Sequence, residues 1–173
     1  MKHTGTQVLT TERLILRRYE MTDADFVFTN WASDPVAARF WSWEPHRDIG
    51  TTRYWLRQWI AAYEKPDYYL WCITAKEDSQ AIGYIYLDSI DESERSASVH
   101  YLLGSAYWNQ GLMTEACMRV VEFAFEEPGF EIIRSYYHKE NPASGRVLQK
   151  CGFKCFKSAK SGEYCHYLLK KCR

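Results

Sequence analysis

A short polar loop with one glycine, Tyr107 to Gly111, opens the stretch YWNQGLMTEACMRVVEFAFE and runs straight into residues of helical periodicity. The first turn of a helix leaves backbone N–H groups unpaired at the positive end of a dipole worth about half a charge, and a glycine lets the backbone come close to a ligand. Together they make a seat for an anion, although Gln110 and Gly111 also suit an ordinary turn before a helix. The charges are unevenly spread. From Arg146 to Arg173 they are basic (Arg146, Lys150, Lys154, Lys157, Lys160, Lys170, Lys171, Arg173) against Glu163 alone, whereas Asp88, Asp91, Glu92 and Glu94 form an acidic run. These are either two solvated surfaces or places for a phosphate-rich ligand and a cationic acceptor. Trp41, Trp43 and Glu44, in the turn-rich segment FWSWEPHRD, either cover a core edge or wall a substrate groove. Cys151, Cys155, Cys165, His166 and Cys172 are of zinc-binding types, but no paired short-spaced CxxC element accompanies them, so no metal is expected.

The elements that must position these residues can be read from periodicity. Met113, Cys117, Val120, Val121 and Ala124 recur at helical spacing while Glu115, Arg119, Glu122 and Glu126 take the opposite side, so the loop opens a half-buried helix. Earlier in the chain, Leu14–Tyr19 reads as a strand. Thr22 with Asp25 marks a helix start, and a second helix carries Tyr54, Trp55, Trp59 and Ala62 on a common side. Tyr68–Ala75 and Ala81–Asp88 form a hairpin about the turn KEDSQ, and Ser96–Leu103 is a third strand. Its period of two puts Ser98, His100 and Leu102 on one face and Ala97, Val99, Tyr101 and Leu103 on the other. Glu131–His138 is another strand and leads into NPASGRVLQKCGF. There Asn141 suits an N-cap, Pro142 the first helical position and Gly152 a helix exit. Two last strands, Phe153–Ser158 and Tyr164–Leu169, turn around SAKSG.

With 173 residues, 46% of them hydrophobic, and no repeat or linker, residues 1–173 are expected to form one domain with a real core. The pattern is α/β: a single mixed sheet of about seven strands with about four helices packed on it. A formal net charge of zero favours neither nucleic acid nor an anionic membrane surface as partner. The opening MKHTGTQVL lacks an apolar leader core, and no run approaches the roughly 20 apolar residues of a membrane span. A cytoplasmic setting with free thiols follows, with Cys117 filling a small place in the core.

The glycine loop with its helix, the next strand, and then NPASGRVLQKCGF, in that order, look like the cofactor-binding half of the GNAT N-acetyltransferases. The opening TERLILR and the Trp108 before the loop resemble more narrowly the RimJ/RimL-like branch, which acetylates amino termini of ribosomal proteins. The resemblance runs from about Leu9 to the end. It implies a mostly antiparallel sheet with a splayed central strand pair, and acetyl-CoA as co-substrate. It carries the pyrophosphate contacts to Gln110, Gly111, Met113 and Thr114, the pantetheine contacts to the strand edge at Leu102 and Leu103, and an arm contact to Asn141. Two residues depart from the family pattern. Trp108 stands at the usual Gln/Arg position, and Met113 at the final Gly/Ala position, where main-chain contacts tolerate it.

Amide formation from a thioester needs a neutral amine, a polarised carbonyl and a proton for the departing thiolate. The family's tyrosine acid would fall on Leu148 here, and the branch's alternative falls on Ser144. The strand carboxylate that often serves as base is replaced by Ser98. His100, two residues on and on the same face, is either the group that takes the proton or a structural histidine, and a base acting through water is a further route, so the assignment stays open. Trp41, Trp43, Glu44 and Asp88 are the residues expected around the acceptor. The reading is therefore an acetyl-CoA-dependent N-acetyltransferase acting on a primary amine, either a peptide amino terminus or a small amine. The alternative is a non-catalytic acyl-CoA-binding module, favoured by the missing tyrosine and carboxylate. A nucleotide hydrolase or a Rossmann enzyme is excluded by the lack of GxxxxGK[ST] and GxGxxG. Oligomeric state is not encoded legibly, and the resemblance allows a homodimer.

Overall fold

The computed structural model describes residues 1–158 and 162–172. The middle of the expected SAKSG turn, with Lys160, and the terminal Arg173 lie outside the described residues. One sheet of eight strands has the order β1-β2-β3-β4-β5-β6-β8-β7. Its strands are β1 (Leu9–Thr10), β2 (Leu14–Arg17), β3 (Tyr69–Ala75), β4 (Ala81–Asp91), β5 (Ser96–Leu103), β6 (Ile132–His138), β7 (Lys154–Lys157) and β8 (Tyr164–Lys170). Neighbours are antiparallel except β5 and β6, which are parallel. Among the described residues five α-helices cover it: α1 (Ala24–Val27), α2 (Pro35–Ala38), α3 (Ile49–Ala62), α4 (Leu112–Glu126) and α5 (Pro142–Lys150).

The class and the mixed, mostly antiparallel sheet agree with expectation, with one strand and one helix more. β1 is a two-residue addition to the edge of β2, too short to register as alternation. α2 has four residues, set by Pro35 in its first turn and by the Asp34 carboxylate, which accepts from the Val36 amide at 2.8 Å. The first helix also starts differently. Asp23 rather than Asp25 folds back, accepting the Glu20 amide at 2.8 Å and both Arg17 guanidinium nitrogens at 2.8 and 2.6 Å. A π-helical turn, Phe28–Ala32, follows α1. On α3 the buried residues are Thr52 and Leu56; Tyr54, Trp55 and Trp59 do share a side, with ring centroids 5.5 and 6.5 Å apart, but Tyr54 and Trp55 on it are exposed.

Strand alternation builds a core on each face. Tyr69, Trp71, Ile73, Val99 and Leu103 pack with the buried side of α4, where Met113, Cys117, Val120, Val121 and Ala124 all face inward as expected. Leu70, Cys72, Tyr84 and Leu102 pack beneath α1 and α3. All six cysteines are free thiols. Among the described residues no helix is long and apolar enough to cross a membrane.

β5 and β6 pair only from Ser96↔Ile132 to Ser98↔Arg134. The Ser135 hydroxyl donates to the Val99 carbonyl at 2.8 Å, and beyond it the strands run on to Leu103 and His138 with no shared ladder. The expected splay is present. α5 lies at its mouth, against β6, where residue 145 has no side chain. A Cβ at Gly145 would stand 2.5 Å from Tyr137 Cζ and 2.7 Å from its hydroxyl. Gly145→Ala is expected to force helix and ring apart and to cost about 1–3 kcal/mol, read as a lower urea midpoint at unchanged m value.

Candidate active site

The loop before α4 presents amides outward for a backbone reason. Asn109 (φ 61°) and Gly111 (φ 77°) both adopt left-handed conformations, which curls successive N–H groups toward one side. No side chain caps α4. The Glu115 amide bonds the Gly111 carbonyl at 3.1 Å, so the amides of Leu112, Met113 and Thr114 before it have no turn below them to bond. Arg13, from the start of β2, clamps this loop. Its amide and Nε donate to the two Glu115 oxygens, each at 2.8 Å, and its guanidinium reaches the Gln110 carbonyl at 2.9 Å. Gln110 therefore contributes backbone only, because its side chain folds back onto the Ala106 carbonyl at 3.2 Å.

A cleft of about 470 Å³ opens between this loop and α5. Gly111, Met113 and Thr114 line one side and Asn141 and Ser144 the other, with Leu102 and Leu103 between them. Arg39, Arg146 and Lys150 also border it, and none of the three is ion-paired among the described residues. The basic tail thus divides: Arg146 and Lys150 meet the cleft, while Lys171 is occupied with the Phe125 carbonyl at 2.5 Å. The acidic run is used locally. Glu94 pairs with Arg134 at 2.6 Å, and Asp91 accepts from Ser93 and from the Glu94 amide.

The free edge of β5 is refined by its register. The Gly104 amide bonds Ile82, and the Leu102 carbonyl lies against Gly83, so the backbone of Leu102 is spent on β4. Tyr101 and Leu103 face the gap. The Leu103 carbonyl is already held by the Trp108 indole at 2.9 Å, which leaves the Leu103 N–H and the peptide groups of Tyr101. Asn141 caps α5, accepting the Ser144 amide at 3.3 Å, while still lining the cleft.

A second cavity, of about 230 Å³, lies on the far side of the splay and shares Phe40, Trp41, Tyr101, Asn141 and Ser144 with the first. The Ser144 hydroxyl donates to the Tyr101 phenol at 3.1 Å, and that phenol donates to the Ser144 carbonyl at 3.0 Å. Burial pushes the Tyr101 phenol well above its ordinary value, so it keeps its proton. The period of two places Tyr101 on one face with Val99 and assigns it no role. The face is right, but a tyrosine hydroxyl there needs a partner, and that need was the available signal. His100, its side chain 10% exposed, lines the same cavity with Nε2 3.1 Å from Asp88 Oδ1.

Other expected acceptor residues separate. Trp41 lines both cavities, and Asp88 meets them only through His100. Trp43 and Glu44 do not belong to either. Trp43 turns into the second core against Trp31, with ring centroids 6.2 Å apart, and the Glu44 side chain is 86% exposed beside Arg47. An irregular loop has no fixed period, so neighbours at 41, 43 and 44 need not share a direction. Leu148, at the family's tyrosine position, is fully buried. Among the described residues no group of three or more His, Cys, Asp or Glu could hold a metal ion.

The acetyltransferase (GNAT) domain family matches residues 13–154. An uncharacterised N-acetyltransferase of Bacillus subtilis, YoaA, is 28% identical over 146 residues, 84% of this chain and 82% of that protein. Among solved structures, a putative ribosomal-protein-serine acetyltransferase from Vibrio cholerae superposes with a TM-score of 0.83 at 18% identity, covering 97% of this chain and 99% of that one. The microcin C7 self-immunity acetyltransferase MccE, solved with acetyl-CoA and AMP, gives 0.78 at 14% identity over 93% and 94%.

The clamp on the loop has a pH signature. Partial burial pushes the Glu115 carboxyl up, but hydrogen bonds from Thr11 and Arg13 outweigh it and hold its pKa below the ordinary 4.5. A depressed acid contributes stability that is complete above its unfolded value and fades as pH falls through the folded one. Thermal melts of Glu115→Gln against the parent are expected to differ by a constant amount above pH 4.5 and to converge below it.

Proposed function

The chain belongs to the acetyltransferase (GNAT) family, and from that premise we propose that it moves the acetyl group of acetyl-CoA to a primary amine by direct attack on the thioester. The observation that carries this is the splay. It joins a cleft with outward-facing helix amides and unpaired cations to a second cavity holding an imidazole, with Tyr101 and Ser144 at the junction. The cleft fits the co-substrate's chemistry. Three free amides and a left-handed nest suit a pyrophosphate, Arg39, Arg146 and Lys150 suit further phosphate charge, and the Tyr101–Leu103 edge suits an amide-containing arm that adds as a strand would. Acetyl-CoA supplies an activated acyl carbon, and the protein supplies the rest.

In this reading the Leu103 N–H polarises the acyl oxygen. His100 takes the proton the amine must lose. With Nε2–H given to Asp88, Nδ1 is the ring nitrogen that has a free lone pair. The new N–C bond forms as the C–S bond breaks, Ser144 turns its hydroxyl from Tyr101 to hydrogen-bond the departing thiolate, and the thiolate takes its proton from solvent as His100 returns the amine's proton there. Tyr101 then donates to Ser144 in return, which keeps the serine oxygen satisfied without a buried tyrosinate. A single domain, residues 1–173, in the cytoplasm carries the reaction. For the acceptor, a peptide amino terminus is supported by the name of the Vibrio cholerae neighbour and by the opening TERLILR, and it would place the chain in the RimJ/RimL-like branch.

Release of thiol from acetyl-CoA across peptides and small amines tests the reaction, against an enzyme-only blank for the six cysteines. His100→Gln is expected to lose about 10²-fold in kcat and to recover part of it in added imidazole. Ser144→Ala is expected to keep the melting-temperature rise given by acetyl-CoA while kcat falls about tenfold or more; an unchanged kcat would remove the serine from the chemistry.

A further inference from the structure

The smaller cavity is enclosed by a belt of aromatic rings that closes on itself. From Trp41 it passes to Tyr86 at 6.5 Å between centroids, then to His100 at 5.1 Å and Tyr136 at 5.1 Å. It returns through Tyr164, His138 and Phe40, each step 5.5 Å, and Phe40 is the chain neighbour of Trp41. Every one of these rings lines the cavity. Three separate parts of the chain supply them: the segment after α2, the β4–β5 pair, and the ends of β6 and β8.

Among the described residues no carboxylate, lysine or arginine lines this space. Asp88 approaches it only behind His100, with 46% of its own side chain exposed outside. A polyamine or aminoglycoside entering here would find no carboxylate to pair with its further ammonium groups, which gives it no advantage over a single amine. One ammonium is tolerated, since ring faces attract a cation before the imidazole removes its proton. What the belt offers beyond apolar area is edge and face contact to another ring.

We infer that the acceptor is a primary amine carried on a short chain from an aromatic ring, and that the belt selects it. This rests on the proposed acetyl transfer to an amine. The chemistry is shared by free arylalkylamines and by peptides whose first residue is aromatic.

Two readouts keep the inference separate from the reaction it rests on. Calorimetric binding of phenethylamine, butylamine and putrescine is measured beside thiol release with the same amines and with tripeptides beginning in Phe or Ala. Phenethylamine and the Phe-first peptide are expected to exceed butylamine and the Ala-first peptide by about tenfold or more in kcat/KM, with putrescine no better than butylamine. Whichever of the two aromatic acceptors is faster identifies the source, and either order supports the belt as selector. Tyr136→Leu, at the half-exposed rim, is expected to raise the KM for phenethylamine about tenfold and to leave that for acetyl-CoA unchanged. Putrescine or butylamine matching phenethylamine would overturn the inference while leaving acetyl transfer intact. If no amine is acetylated, the reaction fails; tighter binding of phenethylamine than butylamine would still uphold the belt, and equal or absent binding would overturn it.

Discussion

Two neighbouring strands that stop sharing hydrogen bonds partway along must find other partners for their peptide groups, because each one left unsatisfied and shielded from water costs about 1–3 kcal/mol. Much of the architecture around the site answers that demand. The first carbonyl past the split, Val99, is taken by the Ser135 hydroxyl, and the last, Leu103, by the Trp108 indole. Between them the peptide groups of Tyr101 and the Leu103 N–H are left to the gap. The same separation gives α5 room to bring Asn141 and Ser144 to the opening, seated on Tyr137 through Gly145. A fully paired β5–β6 would be a more stable sheet and would have no passage between its two faces.

The aromatic wall opposite α5 has to be registered to that opening from a segment with little regular structure. Asp34 does much of this. One carboxylate oxygen accepts the Val36 amide to start α2, and the other accepts the Ser105 amide just past β5 at 2.9 Å. Burial pushes the Asp34 carboxyl up, but the bonds from Ser105, Ala37 and Val36 prevail and hold it below its ordinary value, so the bridge stays charged near neutrality. Four residues of helix then deliver Phe40 and Trp41 to the cavities. His46 returns the chain by bonding its amide to the Ala32 carbonyl at 2.8 Å. An otherwise free loop is thus tied at both ends to the elements that bound the site.

What the sequence made legible was what depends on local rules. The α4 stripe, the Gly111 loop and the Asn141 cap follow from helical period, positive φ and capping chemistry, and all three stand where expected. Elements of two and four residues, β1 and α2, are shorter than any period that could announce them. Trp43 takes the core-edge alternative and Glu44 turns to solvent because direction in a loop is decided by distant contacts, here with Trp31. The belt was invisible for the same reason on a larger scale. Tyr164 meets His138 only because β8 pairs antiparallel with β6 in the register His138↔Tyr164, and no pattern within either strand fixes that register.

The strand position where a carboxylate would serve as base holds Ser98, yet a carboxylate is present one strand away. In the β4–β5 ladder Asp88 stands directly across from Ser98, and Tyr86 across from His100. Cross-strand geometry lets a side chain reach the diagonal neighbour two residues along as well as the one opposite, so Asp88 meets His100 while Tyr86 stacks on its ring at 26°. Under the proposed reading the single carboxylate has been replaced by an imidazole on β5 with its orienting partner on β4. The substitution suits an aromatic chamber. A carboxylate facing those rings would carry its charge where no lysine or arginine lines the space, whereas an imidazole stacks with them. The acid oxygen stays nearer to water, and the group that meets the acceptor is the one the belt can accommodate.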